Sequence, residues 1–328
     1  MSWGLTIPLT GLPLAEHREV IAALPGWGFT DAWSSEVAGP DAFTPLALAA
    51  AWQPELRLGT AIVPVFTRGP ALIAQSAATL AAAAPGRFSL GLGASSPAIV
   101  QAWNGIPFDA AYRRTRDVLD FVRAALAGEV IDASFDSFTI SRFRLENPPA
   151  SPVPILLAAL RPQMLALAGH RADGAILNWL AATDVQRCVA AIGNPAATVV
   201  ARIFVCPTED AAFARATAKR LMAAYLTVEA YAQFQRWLGR SEQLGELWQR
   251  WGAGDRKGAM ASIPDEVADA LVLHGSTQHC RDQVQAYVDA GVQVPVLAVL
   301  PTPELVGAEA LAVTLAGLGG GWTAGGRA

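Results

Sequence analysis

Short apolar runs bounded by turn residues alternate along the chain with longer stretches whose apolar positions recur at helical spacing. Strand followed by helix, repeated, predicts a parallel sheet, because successive parallel strands are joined by crossovers that cover the sheet faces. The predicted strands are Gly4 to Ile7, a run ending at Trp33 and Ser34, Leu58 to Val63, Phe88 to Leu92, Ile155 to Ala158, Ala175 to Leu177, Val199 to Val205 and Val294 to Leu300. Helices are predicted at Pro13 to Leu24, with Leu14, Val20, Ile21 and Leu24 on one side, then at Thr44 to Trp52, Ala71 to Ala83 and Tyr112 to Ala127. Further helices open at Pro162, run from Gln278 to Ala290, and begin at Pro303. Eight parallel strands with intervening helices are the content of a (β/α)8 barrel, the TIM-barrel form of the α/β class, read here as one domain over 1–328.

Two stretches break the rhythm and are read as insertions. Over about 104–150, a helix precedes FDSFTISRFRL, whose alternation predicts a strand or hairpin excursion. Over about 208–270 the texture is helical and carries Tyr225, Tyr231, Trp237, Trp248 and Trp251. The Gly-rich tail after Leu318 is expected to fray.

Composition agrees with a large core. Apolar residues make up 52% of the 328 and charged residues 16%, a balance suited to strands covered on both faces. Pro, Gly and charges interrupt every apolar run before the roughly 18 residues that a bilayer span needs. No basic leader opens the sequence, and Cys188, Cys206 and Cys280 are too scattered for a disulfide framework or a metal knuckle, so a reducing cytoplasm is expected. A net charge of −4 with no basic run offers nothing that follows a phosphate backbone, so nucleic acid is not an expected partner, nor is a membrane. The four histidines, His17, His170, His274 and His279, lack metal spacing and are expected on helices or turns away from strand ends, as structural residues. No GxSxG elbow and no activated cysteine supports covalent hydrolase chemistry.

In a barrel, chemistry sits just beyond the carboxyl ends of the strands. That rule selects Ser34, Ser35, Glu36 and Asp41, then Thr60, Ala61, Ile62 and Pro64, then Gly91, Gly93, Ser95 and Ser96. It adds Ala159, Leu160 and Arg161 after the fifth strand, and Asn178 and Trp179 after the sixth. Glu36, at the end of an apolar strand, can accept a hydrogen bond or a proton, or simply cap the next helix. In LGLGASS the glycines let a ring or an anion approach the backbone, and tight packing explains them equally well. The stretch lacks the third glycine and the distant acid of a dinucleotide fingerprint. In LLAALRPQMLALAG the proline opens a helix whose first amides point outward, a site for phosphate to which Arg161 adds charge. Ordinary helix entry with a solvated arginine is the competing reading. Trp33, Phe66, Trp103 and Trp179 are candidates to wall a pocket for a planar ring, with core packing the alternative.

Taken in order, GFTDAWSSE, RLGTAIVPVFTRGPALIAQSAATL, GRFSLGLGASSP, AALRPQMLALAGHRADGAIL and LVLHGSTQHCRDQVQAYVDAGV resemble the luciferase-like monooxygenase superfamily, and within it the F420-dependent oxidoreductases. The resemblance implies a barrel that binds a deazaflavin or flavin at the strand carboxyl ends, exchanges a hydride with a small-molecule substrate, and pairs as a homodimer. It implies a non-proline cis peptide at Ala61–Ile62 behind the ring, and cofactor phosphate on the segment Ala158 to Gln163. Cofactor contacts are thereby expected at Glu36, Thr60, Ala61, Ile62, Gly93, Ser95, Ser96, Ala159, Leu160, Arg161, Gln163 and Asn178. Glu36, Ser96 and Asn178 are the candidate catalytic groups, with no metal. Three departures stand out: Leu160 and Arg161 replace a glycine pair, Val37 replaces a catalytic histidine, and Ser96 replaces the glutamate of sugar-phosphate dehydrogenases. The last disfavours a glucose-6-phosphate substrate. Coenzyme F420 is the expected cofactor and FMN the alternative, as in a flavin-dependent monooxygenase; a non-catalytic flavin or deazaflavin carrier is the reading from outside enzymology.

Overall fold

A computed structural model describes residues 3–319; the Gly-rich tail expected to fray lies, beyond Gly319, outside the described residues. Eight parallel strands are β1 (Gly4–Thr6), β2 (Asp31–Ser34), β3 (Arg57–Thr60), β4 (Phe88–Gly93), β5 (Ile155–Ala158), β6 (Gly174–Asn178), β7 (Thr198–Cys206) and β8 (Val294–Val299). They pair in chain order, and β8 returns to β1 through Gly4 opposite Val296, so the sheet closes into a (β/α)8 barrel.

Alternation along each strand divides the side chains between two cores. Trp33, Leu156, Ile176, Val200, Val294 and Val296 fill the barrel interior. Their neighbours, such as Leu58, Leu157, Leu177, Val199 and Leu297, point outward and join the larger core under the helices. Trp33 lies across the interior against Gly59, where an added Cβ would sit 2.6 Å from Cη2 of the indole. A glycine there is what lets one large ring plug the barrel beneath its mouth.

The ring of helices comprises α1 (His17–Ala23), α2 (Thr44–Trp52), α3 (Pro70–Ala83), α4 (Ala111–Leu126), α5 (Pro162–Arg171) and α6 (Val185–Ile192). The first predicted helix is shortened at both ends by 3-10 turns, Leu14–Glu16 and Leu24–Trp27, the second containing Pro25. The insertion expected over about 104–150 is narrower than that range. α4 buries Val118, Leu119, Phe121 and Val122 in the main core and belongs to the ring, leaving the hairpin Ile131–Ser134 with Thr139–Phe143 as the excursion.

The segment over about 208–270 folds as α7 (Ala211–Leu226), α8 (Glu229–Trp237), α9 (Ser241–Gly252), α10 (Arg256–Ala261) and α11 (Asp265–Leu271). It builds its own apolar cluster, which reaches the barrel through Trp179, Phe204 and Ala298. A three-residue strand, Val272–His274, pairs with the end of β7 and had no periodic signal long enough to predict. It corrects one expectation: His274 stands at a strand end, with Nε2 3.0 Å from Asp269 Oδ1. α12 (Thr277–Asp289) precedes β8, and α13 (Gly307–Gly319) follows it.

Candidate active site

The mouth is built from two arcs of strand ends. On the first arc β3 stops at Thr60, and the chain resumes pairing at Val63–Pro64 beside β4. Between them the Ala61–Ile62 peptide is cis, as the resemblance implies; Ile7–Pro8 is the other cis bond among the described residues. The Ala61 amide donates to Ser34 O at 2.6 Å, and Ile62 O accepts from the Glu36 amide at 3.2 Å. These bonds tie the loop after β2 to the kink after β3, leaving Ala61 and Ile62 half-buried at the opening. Gly93 faces the same kink: a Cβ there would lie 2.9 Å from Ile62 Cγ1 and 3.0 Å from Ala158 Cβ. The missing side chain leaves a shallow cradle over which a flat ring can lie.

Two expected site residues on this arc are hydrogen-bonded into the frame. Thr60 is fully buried; its hydroxyl donates to Gly91 O at 2.9 Å and accepts from the Gly91 amide at 2.7 Å. Glu36 accepts from Arg68 Nε at 3.0 Å and Nη2 at 2.7 Å, and from the Ala42 amide at 3.1 Å. A carboxylate held in a forked pair is fixed in orientation by it. Ser95 takes a left-handed φ of 67°, and the Ser96 hydroxyl accepts weakly from the Ile99 amide at 3.4 Å, leaving its own proton to donate.

The second arc runs from β5 to β7. Ala159 is fully buried and contributes only its backbone, Leu160 packs on the core, and Arg161 and Gln163 are exposed at the start of α5. Pro162 occupies the first turn, and no side chain caps it. Asn178 accepts from the Trp179 amide at 3.0 Å, and its Nδ2 lies 3.4 Å from Tyr231 Oη, which joins β6 to α8. Trp179, at φ 57°, turns its indole under the insertion, 4.3 Å from the Phe204 ring and 5.2 Å from Tyr225 by centroid. Gln235 Nε2 donates to Trp179 O at 2.6 Å, fixing that turn. Burial, helped by Tyr225, pushes the Tyr231 phenol up to about 12, so it keeps its proton at every physiological pH. Cys188, Cys206 and Cys280 are buried thiols pushed up to about 12, 11 and 12, well away from thiolate chemistry.

Sequence reasoning passed over Arg202 and Tyr231. Arg202 lies two residues beyond the inward Val200 and opposite Asn178, so it too faces the barrel interior. One charge inside an otherwise apolar strand, TVVARIFVC, was the signal available. Buried polar atoms without a hydrogen-bond partner include Thr6 Oγ1, Trp33 Nε1 and Trp179 Nε1, on residues at or next to the carboxyl ends of β1, β2 and β6, and Arg202 Nε, midway along β7 and opposite the last residue of β6. Orphans of this kind are uncommon and mark a place where a ligand or water completes the bonding.

The profile of the luciferase-like monooxygenase family matches residues 4–294. The chain belongs to that family. Within it, the chain is 29% identical over 332 residues to a coenzyme F420-dependent oxidoreductase, so named, of Mycobacterium tuberculosis, spanning 90% of this chain and 94% of the relative. It is 25% identical over 276 residues to a 5,10-methylenetetrahydromethanopterin reductase of Methanolobus tindarius, spanning 81% and 84%. In three dimensions it superposes on the coenzyme F420-dependent tetrahydromethanopterin reductase of Methanopyrus kandleri with a TM-score of 0.77 at 21% identity, covering 96% of this chain and 97% of that one. That likeness is one of fold along nearly the whole of both chains.

Proposed function

We propose that this protein is an F420-dependent oxidoreductase that passes a hydride between the deazaflavin and a small organic substrate. The observation that carries the reading is the cradle at Gly93, Ile62 and Ala158, set beside buried donors that no protein group satisfies. It is supported by the similarity, along nearly the whole chain, to a relative named for coenzyme F420.

Bound there, the deazaflavin would supply or take up the hydride at its central ring. Ala61, Ile62 and Gly93 would support its face, and Ser95, Ser96 and Asn178 would offer hydrogen bonds at its edge. The uncapped amides at the start of α5, with Arg161 and Gln163, would take the cofactor's phosphate. The insertion helices above Trp179 and Phe204 would exclude water from the substrate side. Tyr231, protonated and beside Asn178, would hold a proton at Oη where Val37 supplies none. Glu36 would act by holding the rim through Arg68.

Fluorescence titration of the purified protein with F420 and with FMN tests the cofactor. Micromolar F420 binding with weaker FMN binding is expected, and FMN binding without F420 binding would reverse the reading in favour of a flavin monooxygenase. Reduction of bound F420 by a panel of alcohols, or its reoxidation by imines and enones, separates an enzyme from a carrier. Assembly as a homodimer in the cytoplasm completes the proposal. Exposed Leu72 and Trp103 supply apolar surface for it, and sedimentation velocity reads the mass. No helix among the described residues is long and apolar enough to cross a membrane.

A further inference from the structure

Arg202 differs from the other well-placed arginines of this fold. Arg68 is paired with Glu36, Arg215 with Asp269 and Arg240 with Asp184. Arg114, which makes no ion pair among the described residues, donates to the carbonyls of Val65 and Ser137. Arg202 has no ion pair and no hydrogen bond among the described residues, and its Nε is sealed from solvent without a partner. Its guanidinium carbon lies 4.9 Å from the centre of the Phe204 ring. Its charge also reaches the Tyr231 phenol.

The position makes this more than a stray surface charge. Along β7, Val200 packs in the barrel interior and Phe204 under the insertion, so Arg202 stands between them at the level of the mouth. Asn178 is its neighbour on β6 and Val296 on β8. The residue is half-buried, so part of the guanidinium stays open to the mouth while its Nε is shut in. A partly desolvated guanidinium left without an anion is poorly compensated, and a bound ligand that brings one completes it. A planar fork of N–H donors matches a carboxylate better than any neutral group. Phe204, Trp179, Tyr225 and Tyr231 surround this corner with aromatic surface, which suits a ligand with a flat apolar body.

We infer that Arg202 is the anchor for a substrate carboxylate, and that the substrates of this enzyme are apolar or aromatic carboxylic acids bound with the acid group on β7 and the reacting carbon toward Gly93. The inference rests on the reading of the barrel mouth as the reaction site; the anion site itself stands or falls separately from the cofactor. Nothing in it draws on the exposed start of α5, which lies on another strand end and serves the cofactor.

Calorimetric titration with benzoate and with its neutral isostere benzamide tests it, on the protein with and without saturating F420. Benzoate is expected to bind about 10-fold or more tighter than benzamide, with Arg202→Met abolishing that preference and Arg202→Lys keeping part of it. F420 affinity is expected to be unchanged in both variants. Equal binding of benzoate and benzamide by the natural protein overturns the inference, as does a preference that survives Arg202→Met. An approximately 10-fold loss of F420 affinity in Arg202→Met also overturns it, because the partner of the guanidinium would then be the cofactor. Should Arg202→Met fail to fold, the ligand pair on the natural protein and the Arg202→Lys variant still decide the question. Should F420 fail to bind while benzoate preference persists, the redox reading falls and the anion site remains.

Discussion

Replacing Gly93 by alanine adds a carbon 2.9 Å from Ile62 Cγ1, 3.0 Å from Ala158 Cβ and 3.1 Å from Ile62 Cδ1. Comfortable carbon contacts lie at about 3.5–4.0 Å, so something must yield by roughly half an ångström or more. Ala158 is fixed by its pairing with Ile176 across β5 and β6, so the side chain of Ile62 moves. Ile62 is half-buried at the opening, and the free direction is into the mouth. The fold therefore gives up little, about 1 kcal/mol, at the low end for overpacking. The displaced isoleucine, however, occupies the cradle. F420 affinity is expected to fall about 10-fold, equivalent to ~1.4 kcal/mol. Fluorescence titration measures the affinity and urea denaturation confirms that the variant is folded. Gly93→Ala combined with Ile62→Ala, which removes both crowding carbons Cγ1 and Cδ1, should recover part of the binding. A folded Gly93→Ala protein whose F420 affinity stays within about twofold of the parent would show that no ring approaches this corner.

Other expectations concern the frame around the site. Thr60→Val strands the buried Gly91 amide, whose acceptor is Thr60 Oγ1 at 2.7 Å, and should cost about 1–3 kcal/mol in urea denaturation. Arg240→Met leaves the Asp184 carboxylate, 9% exposed and bonded at 2.7 Å, without its cation; a loss of about 3 kcal/mol is expected, partly restored by Arg240→Met with Asp184→Asn. The hydrogen bond from Arg215 lowers the Asp269 pKa from its ordinary 3.8, against desolvation and with help from His274. Its stabilisation is therefore complete above 3.8 and lost as pH falls through the lower folded value. Solvent screening limits it to about 1 kcal/mol, and Asp269→Asn should flatten the acid limb of the stability profile. An acid limb identical in the two proteins would refute that assignment.

Much of the barrel was legible because its signal is local. Ile155–Ala158 and Thr44–Trp52 form where their apolar patterns place them, and Pro162 opens α5 as its missing amide allows. The boundaries that slipped are those set by partners. Val272–His274 is a strand only because the end of β7 lies beside it. α4 belongs to the ring because the main core accepts its apolar face. At the mouth, strand-end position selected Ala61, Ile62, Gly93 and Asn178 from local pattern alone. It did not show that the polar groups of Glu36 and Thr60 are engaged by Arg68 and Gly91. Those partners are 32 and 31 residues away along the chain, and no local pattern records such a bond.

The sequence by itself determined the periodicities, and through them the alternation of strand and helix, the parallel sheet and the set of strand ends at which chemistry can sit. Hydrophobic burial acts on neighbours two, three or four positions apart, so its imprint is written locally. Only the tertiary structure decided which polar groups at those ends are already satisfied and which are left waiting. That depends on distances between residues far apart in the chain, and an unpaired, half-buried cation such as Arg202 becomes conspicuous only when every possible partner has a position in space.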